Sequence, residues 1–226
     1  MSKAIIVVDF AYKGPKRKGR GTGHRGLRST LKYLQYRDNR TDHMTQIEDD
    51  ERWRDLGMGK HYREIFENCD HLQSQHVLAW TWVVSPAPDL MALVPEEKRP
   101  QLVCDLTERI VEDYYTERGF ELPEYSYVLH DRLTDTKEEG DDPMQHLHTH
   151  IVLPGTVPSV ADRLPVYNNK ERGHDALFRD VATRHFSEML DDIVGPGWRI
   201  QREEDPEIEK AQLKDPNDID SWFGRE

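Results

Sequence analysis

The sequence predicts an α+β sandwich, a mostly antiparallel sheet packed with helices. Apolar runs of strand length recur at residues 4–11, 77–84, 124–131 and 144–153. Between them, apolar residues fall at helical spacing. The resulting layout is strand, helices, strand, helix, two strands, helix, which suits helices laid against a sheet. The last two strands follow one another through a single loop, so they should form an antiparallel pair.

A chain of 226 residues should make one generous domain, expected over 1–200, with an acidic tail at 201–226. Charged residues (33%) nearly equal hydrophobic ones (36%), so a soluble protein is expected. No apolar run approaches the roughly 20 residues that cross a bilayer. A short apolar strand followed by basic residues reverses the order of a secretory signal, so a cytoplasmic location is expected. Cys69 and Cys104 both fall in helical patterns and should be buried free thiols. A net charge of −12 argues against nucleic-acid binding over the whole surface. The charge is uneven, however. Residues 1–40 hold eleven Lys/Arg against two Asp, and the rest hold twenty against forty-one Asp/Glu. That asymmetry points to a local anionic partner at the basic end.

In chain order, AIIVVDFA (4–11) reads as a buried central strand. Residues 13–26 are rich in Gly and Lys/Arg and read as a basic loop. A helix is expected over 27–38, with Leu27, Leu31 and Leu34 on its apolar face. Tyr33 and Tyr36 lie about 120° and 180° from the centre of that face, outside the apolar stripe. Residues 39–58 suggest a loop with a short helical piece. A helix over 60–70 places Tyr62, Ile65, Phe66 and Cys69 on one side. The strand 77–84 puts Trp80 and Trp82 on a shared face and ends at Pro86 and Pro88. A long helix over 96–118 carries Pro100 in its first turn and stops at Gly119. After the strand 124–131 and an acidic loop comes MQHLHTHIVLPG (144–155), closed by Pro-Gly. A helix over 172–192 has Leu177, Val181, Phe186, Met189 and Leu190 as its core side, and Trp198–Ile200 reads as an added edge strand.

The histidine strand carries the chemistry. His146, His148 and His150 alternate, so they project from one face. Imidazoles crowded there repel when protonated and sit together when neutral and sharing a cation. His148 and His150 need a third ligand, either His146 or His130 at the end of the preceding strand. Alternate residues on one strand lie roughly 6.5–7 Å apart. Three in a row span too far for one ion at about 2.1 Å per ligand, which favours His130 with His148 and His150. Three neutral imidazoles leave coordination positions open, as a catalytic site does. A divalent ion is expected: Mn2+ or Mg2+, with Zn2+, Ni2+ or Co2+ also compatible with imidazole. Such an ion, a tyrosine off the apolar stripe and a basic loop together suggest phosphoryl transfer through a phosphotyrosine. Arg17, Lys18, Arg20, Arg25 and Arg28 are candidates for phosphate contacts that position DNA without reading its sequence. Trp80 and Trp82 could stack unpaired bases.

The run HD, an acidic loop with DDP, then LHTHIVL resembles the metal motif of conjugative relaxases, which belong to the HUH endonuclease superfamily. TLKYLQYRD resembles the relaxase segment that carries the nucleophilic tyrosine on a helix after the first strand. The resemblance covers the first strand to about residue 155, and more weakly the helix to 192. It implies an HUH-like sandwich, His130, His148 and His150 as ligands, and Tyr33 as nucleophile, with Tyr36 second. It also implies nicking of single-stranded DNA at an origin of transfer, in mobilisation of a plasmid or integrative element, alongside accessory relaxosome proteins. Two features depart from the family pattern. The segment between His130 and His148 is long, which keeps His146 as a second candidate for the third ligand. No aspartate stands on strand 77–84 to serve as the base, so that role stays unassigned, with Glu124 and Asp131 as candidates. Replication initiators and transposases of the superfamily place tyrosine downstream, where Tyr167 and Lys170 have the required spacing. A metal-dependent hydrolase using water would fit the same histidines, and a non-catalytic DNA-binding module would fit the same basic loop.

Overall fold

The computed structural model describes residues 4–15, 23–36, 52–133, 145–158, 163–165 and 173–199. The predicted tail at 201–226, Tyr167 and Lys170, and Arg17, Lys18 and Arg20 lie outside the described residues. The strands are β1 (Ile6–Lys13), β2 (Trp53–Leu56), β3 (Ala79–Pro86), β4 (Tyr125–Leu133), β5 (Gln145–Pro154), β6 (Thr156–Pro158) and β7 (Arg163–Pro165). The helices are α1 (Gly23–Tyr36), α2 (Tyr62–His71), the single turn α3 (Pro88–Met91), α4 (Arg99–Glu117) and α5 (His174–Val194). A 3-10 turn at Glu96–Lys98 leads into α4.

The expected α+β architecture is present. Five strands form a sheet in the order β1-β3-β5-β4-β2, with every ladder antiparallel. β6 and β7 make a separate two-stranded ribbon. Strand alternation divides the side chains between two layers. On one face, Trp80, Trp82, Tyr125, Tyr127, Ile151 and Leu153 share a core with buried residues of α4 and α5. On the other, Val128 and Val152 share a core with Leu27, Leu31 and Leu34 of α1 and with Ile65 and Cys69 of α2. β5 is the middle strand and is buried along most of its length.

Several expectations are corrected. The run 4–11 falls in the edge strand β1, not a central one, and β1 leaves Val7 and Tyr12 exposed. Its apolar character is used on one side only, where Phe10 packs on Trp82 and on Phe178 of α5. Of the stretch 39–58, residues 52–58 are described, and they hold the short strand β2 where a loop with a short helical piece was expected; the rest of the stretch lies outside the described residues. β2 is also an edge strand, so it tolerates polar residues: Trp53 is buried, while Arg54 reaches out to Glu108 and Tyr127. α1 begins at Gly23, four residues earlier than expected, so Arg25 stands exposed on the helix and not in the loop, beside the exposed Arg28 that was already expected there. Trp198 does not extend the sheet; it is buried, and its indole N–H donates to Asp191 of α5 at 2.9 Å. Trp80 and Trp82 are core residues beneath α4 and α5, with Trp82 stacked on Tyr115, so they offer no platform for bases. Cys69 and Cys104 are buried free thiols, as expected. Among the described residues, no helix is long and apolar enough to cross a membrane.

Candidate metal centre and the tyrosine helix

The central pair of strands sets the site. In the β4–β5 register His130 faces His148, Val128 faces His150 and Arg132 faces His146. Directly opposed residues of an antiparallel pair have Cβ atoms about 4.5–5.5 Å apart. The register therefore sets His130 opposite His148, and its ring also reaches His150, with centroids 5.4 and 4.9 Å away. One ligand nitrogen from each of His130, His148 and His150 lies within 4.8 Å of the others, and all three side chains are buried. This is the only such group of three potential ligands among the described residues.

Hydrogen bonds orient the rings. His130 Nε2 donates to the Leu34 carbonyl of α1 at 2.9 Å, and His148 Nδ1 donates to the His146 carbonyl at 3.2 Å. Those bonds place the ring protons and leave the lone pairs on Nδ1 of His130 and Nε2 of His148, both buried atoms. This is the outer bonding that metal-bound imidazoles need to hold a tautomer. Burial holds the His148 ring well below its ordinary value, and the positive charge that His150, His130 and His146 would carry adds to this. The ring is therefore neutral at pH 7, the form that binds a cation. Two imidazoles sharing an ion at about 2.1 Å each have nitrogens no more than roughly 4.2 Å apart. Small side-chain rotations would bring nitrogens now within 4.8 Å of one another to that distance, so the residues present fit a divalent ion.

His146 lies beside the group. Its Nε2 is 2.7 Å from the Ser85 hydroxyl, and its ring centroid is 5.2 Å from that of His148. The trio that the structure assembles is thus His130, His148 and His150. Of the two residues considered as a base, Glu124 precedes β4 and packs against Gly57, while Asp131 accepts from Gln145 at 2.7 Å. Asp131 follows His130 directly, so it points to the opposite face of β4.

The tyrosine helix adjoins this cluster. Leu34, which receives the His130 bond, stands between Tyr33 and Tyr36 in the sequence, and its carbonyl is among the last four of α1. Such carbonyls lack a partner within the helix, so the histidine ring satisfies the end of the tyrosine helix. Tyr33 and Tyr36 are half-buried and pack against the α1/α2 core, a closer association than their position off the stripe suggested. The reason is α2, which covers the flank of α1 that the helical wheel left open. Gln35 of α1 is fully buried and accepts from the Tyr62 backbone N–H at 2.7 Å. His24 and Asp70 pair across the same helices at 2.6 Å.

Sequence reasoning missed two residues, one on the histidine face and one beside the tyrosine helix. Asp9 pairs with Val83, which pairs with His150, so Asp9 is on the histidine face two strands away. Alternation along 4–11 was the available signal: Val8 and Phe10 pack on the core, which turns Asp9 the other way. His61 precedes α2 and contacts Tyr36; nothing in its sequence neighbourhood announces that. In comparisons with known proteins, the chain matches no family model and none of the curated proteins.

Proposed function

We propose that this protein is a relaxase-like endonuclease that nicks and rejoins one DNA strand through a covalent 5′-phosphotyrosine, in mobilisation of a plasmid or integrative element. The observation that carries the reading is the bond from His130 to Leu34. It joins a buried three-histidine cluster to the turn of α1 that holds Tyr33 and Tyr36. His130, His148 and His150 would hold a divalent cation, Mn2+ or Mg2+ by expectation, with Zn2+, Ni2+ or Co2+ also suited to three imidazoles. Such an ion, when bound, polarises a phosphodiester and offsets the charge that builds during displacement.

The residues of the chain supply the rest. A phenol of α1 attacks phosphorus, and the 3′ oxygen leaves as a hydroxyl that can later reverse the step. Exposed Arg25 and Arg28 on α1 contact phosphates and position the strand. The partners are single-stranded DNA at an origin of transfer and accessory relaxosome proteins, and the location is the cytoplasm.

The test is incubation of the full chain with circular single-stranded DNA and Mn2+, followed by denaturing electrophoresis. The expected result is an SDS-resistant protein–DNA adduct that disappears when Tyr33 and Tyr36 are both changed to Phe. Cleavage without an adduct would indicate a hydrolase using water, and DNA binding with no cleavage under any divalent ion would indicate a binding module. Either result overturns the proposal.

A further inference from the structure

We propose that His61 is the positioning residue for the nucleophile and that this nucleophile is Tyr36: the His61 Nε2–H donates to the Tyr36 oxygen and stabilises the phenolate. The inference rests on the nicking function proposed above and names the phenol that performs it.

His61 is the N-cap of α2, with extended backbone, and its Nδ1 accepts the N–H of Arg63 at 3.3 Å. Asn, Asp, Ser and Thr usually fill that position. Accepting a backbone proton requires the lone pair on Nδ1, so the neutral ring carries its own proton on Nε2. That nitrogen lies 3.5 Å from the Tyr36 hydroxyl oxygen. The cap therefore makes His61 a donor towards Tyr36 and prevents it from acting as a base there. The contact is long for the neutral phenol. Hydrogen bonds in a resting site are often long and tighten when charge develops, and a donor to an oxyanion is worth about twice one to a neutral oxygen.

Other groups facing Tyr36 act in the same direction. The Tyr62 ring packs on both, with centroids 4.5 Å from His61 and 6.1 Å from Tyr36. Arg63 Nε donates to the Tyr62 hydroxyl at 3.2 Å. Arg63 is held above the usual arginine range chiefly by that bond and by the field of Tyr62, and Tyr36 contributes further. The positive end of the α2 dipole favours negative charge at the same place. On its own helix, Tyr36 has Tyr33 and Lys32 as neighbours by spacing. In the reaction the phenol proton is lost to solvent and the phenolate oxygen bonds to phosphorus. The bond from phosphorus to the 3′ oxygen then breaks, and that oxygen takes a proton from solvent.

The experiment uses His61→Asn in the full chain. Asn caps helices well and preserves the bond to Arg63, but it is too short to reach Tyr36. Tyrosine labelled with 13C at Cζ is followed by NMR through a pH titration, with Tyr36→Phe assigning the resonance. The expected result is that Tyr36 ionises below the ordinary tyrosine value of about 10 and moves up in His61→Asn. His61→Gln, which carries an N–H near the Nε2 position, should move it back. An unchanged Tyr36 titration in His61→Asn overturns the proposal. The second readout is adduct formation on circular single-stranded DNA with Mn2+ at pH 7.5. There Tyr36→Phe should abolish the adduct, and His61→Asn should slow it by roughly tenfold or more, with the loss recovered at higher pH. An adduct that survives Tyr36→Phe but not Tyr33→Phe overturns this assignment and leaves the nicking function standing. A wild-type protein that forms no adduct, yet shows the titration shift, overturns the nicking function and supports the His61–Tyr36 bond.

Discussion

His148 is the most informative residue of the cluster because its environment sets its protonation. Burial and three neighbouring rings hold it neutral in the fold, whereas in the unfolded chain it titrates near the ordinary value of about 6.5. Below that pH the unfolded state binds the extra proton, so stability is complete above about pH 6.5 and falls as the pH drops towards the lowered folded value. Without added metal, the thermal midpoint of the protein should decrease between pH 7.5 and 5, and His148→Gln should flatten that slope. Parallel slopes for the two proteins would count against a buried neutral ring. At pH 7.5, Mn2+ should raise the midpoint of the native chain and leave that of His148→Ala nearly unchanged, because a ligand stabilises only the state that binds it. Calorimetric titration with Mn2+ checks the same point directly.

At the scale of elements, the joint between β5 and α4 depends on one buried pair of hydroxyls. Thr107 donates to the Val103 carbonyl at 2.8 Å, and its oxygen lies 2.8 Å from that of Thr149. With the Thr107 proton committed, Thr149 is the donor of the pair. Thr107→Val strands that donor and should cost about 1–3 kcal/mol, while changing both residues to Val should cost less than the single change; urea denaturation measures both. Gly155 ends β5 where a Cβ would collide with the Val77 carbonyl. Gly155→Ala should therefore cost about 1–3 kcal/mol by overpacking, visible in the same assay. The sequence made β3, β4, β5, α2, α4 and α5 legible because each carries a clean period and a stop. It hid β2 because a four-residue, half-polar edge strand carries too little of the pattern to register, and it misplaced β1 because that edge strand is apolar on both faces, with Val7 left exposed. The cluster itself was legible from spacing: one strand cannot gather three imidazoles, so a neighbour had to contribute. The roles of His61 and Gln35 were not legible, since both act across a helix pair whose docking no local pattern encodes.

For the whole molecule, the uneven charge decides how DNA would be met. A net charge of −12 repels a polyanion overall, and the excess of Lys/Arg in residues 1–40 gives the chain its one strongly basic segment. If Arg25 and Arg28 each contact a phosphate, changing either to Ala should weaken binding to unrelated single strands alike and should lower the salt slope by about one. Fluorescence anisotropy across a salt series would show this, and a slope unaffected by both changes would place the DNA elsewhere. The sandwich surrounds the histidines with core on the β5 side and two helices on the other, so the fold supplies dryness as well as position.

The His130–Leu34 bond couples two things that could have been separate. Anchoring the imidazole to a cation also steadies the carbonyl at the end of α1, so by thermodynamic reciprocity a firmly seated helix end tightens the grip on the cation. Amide exchange in the last turn of that helix should consequently slow when Mn2+ is added, which makes the backbone itself a reporter of occupancy.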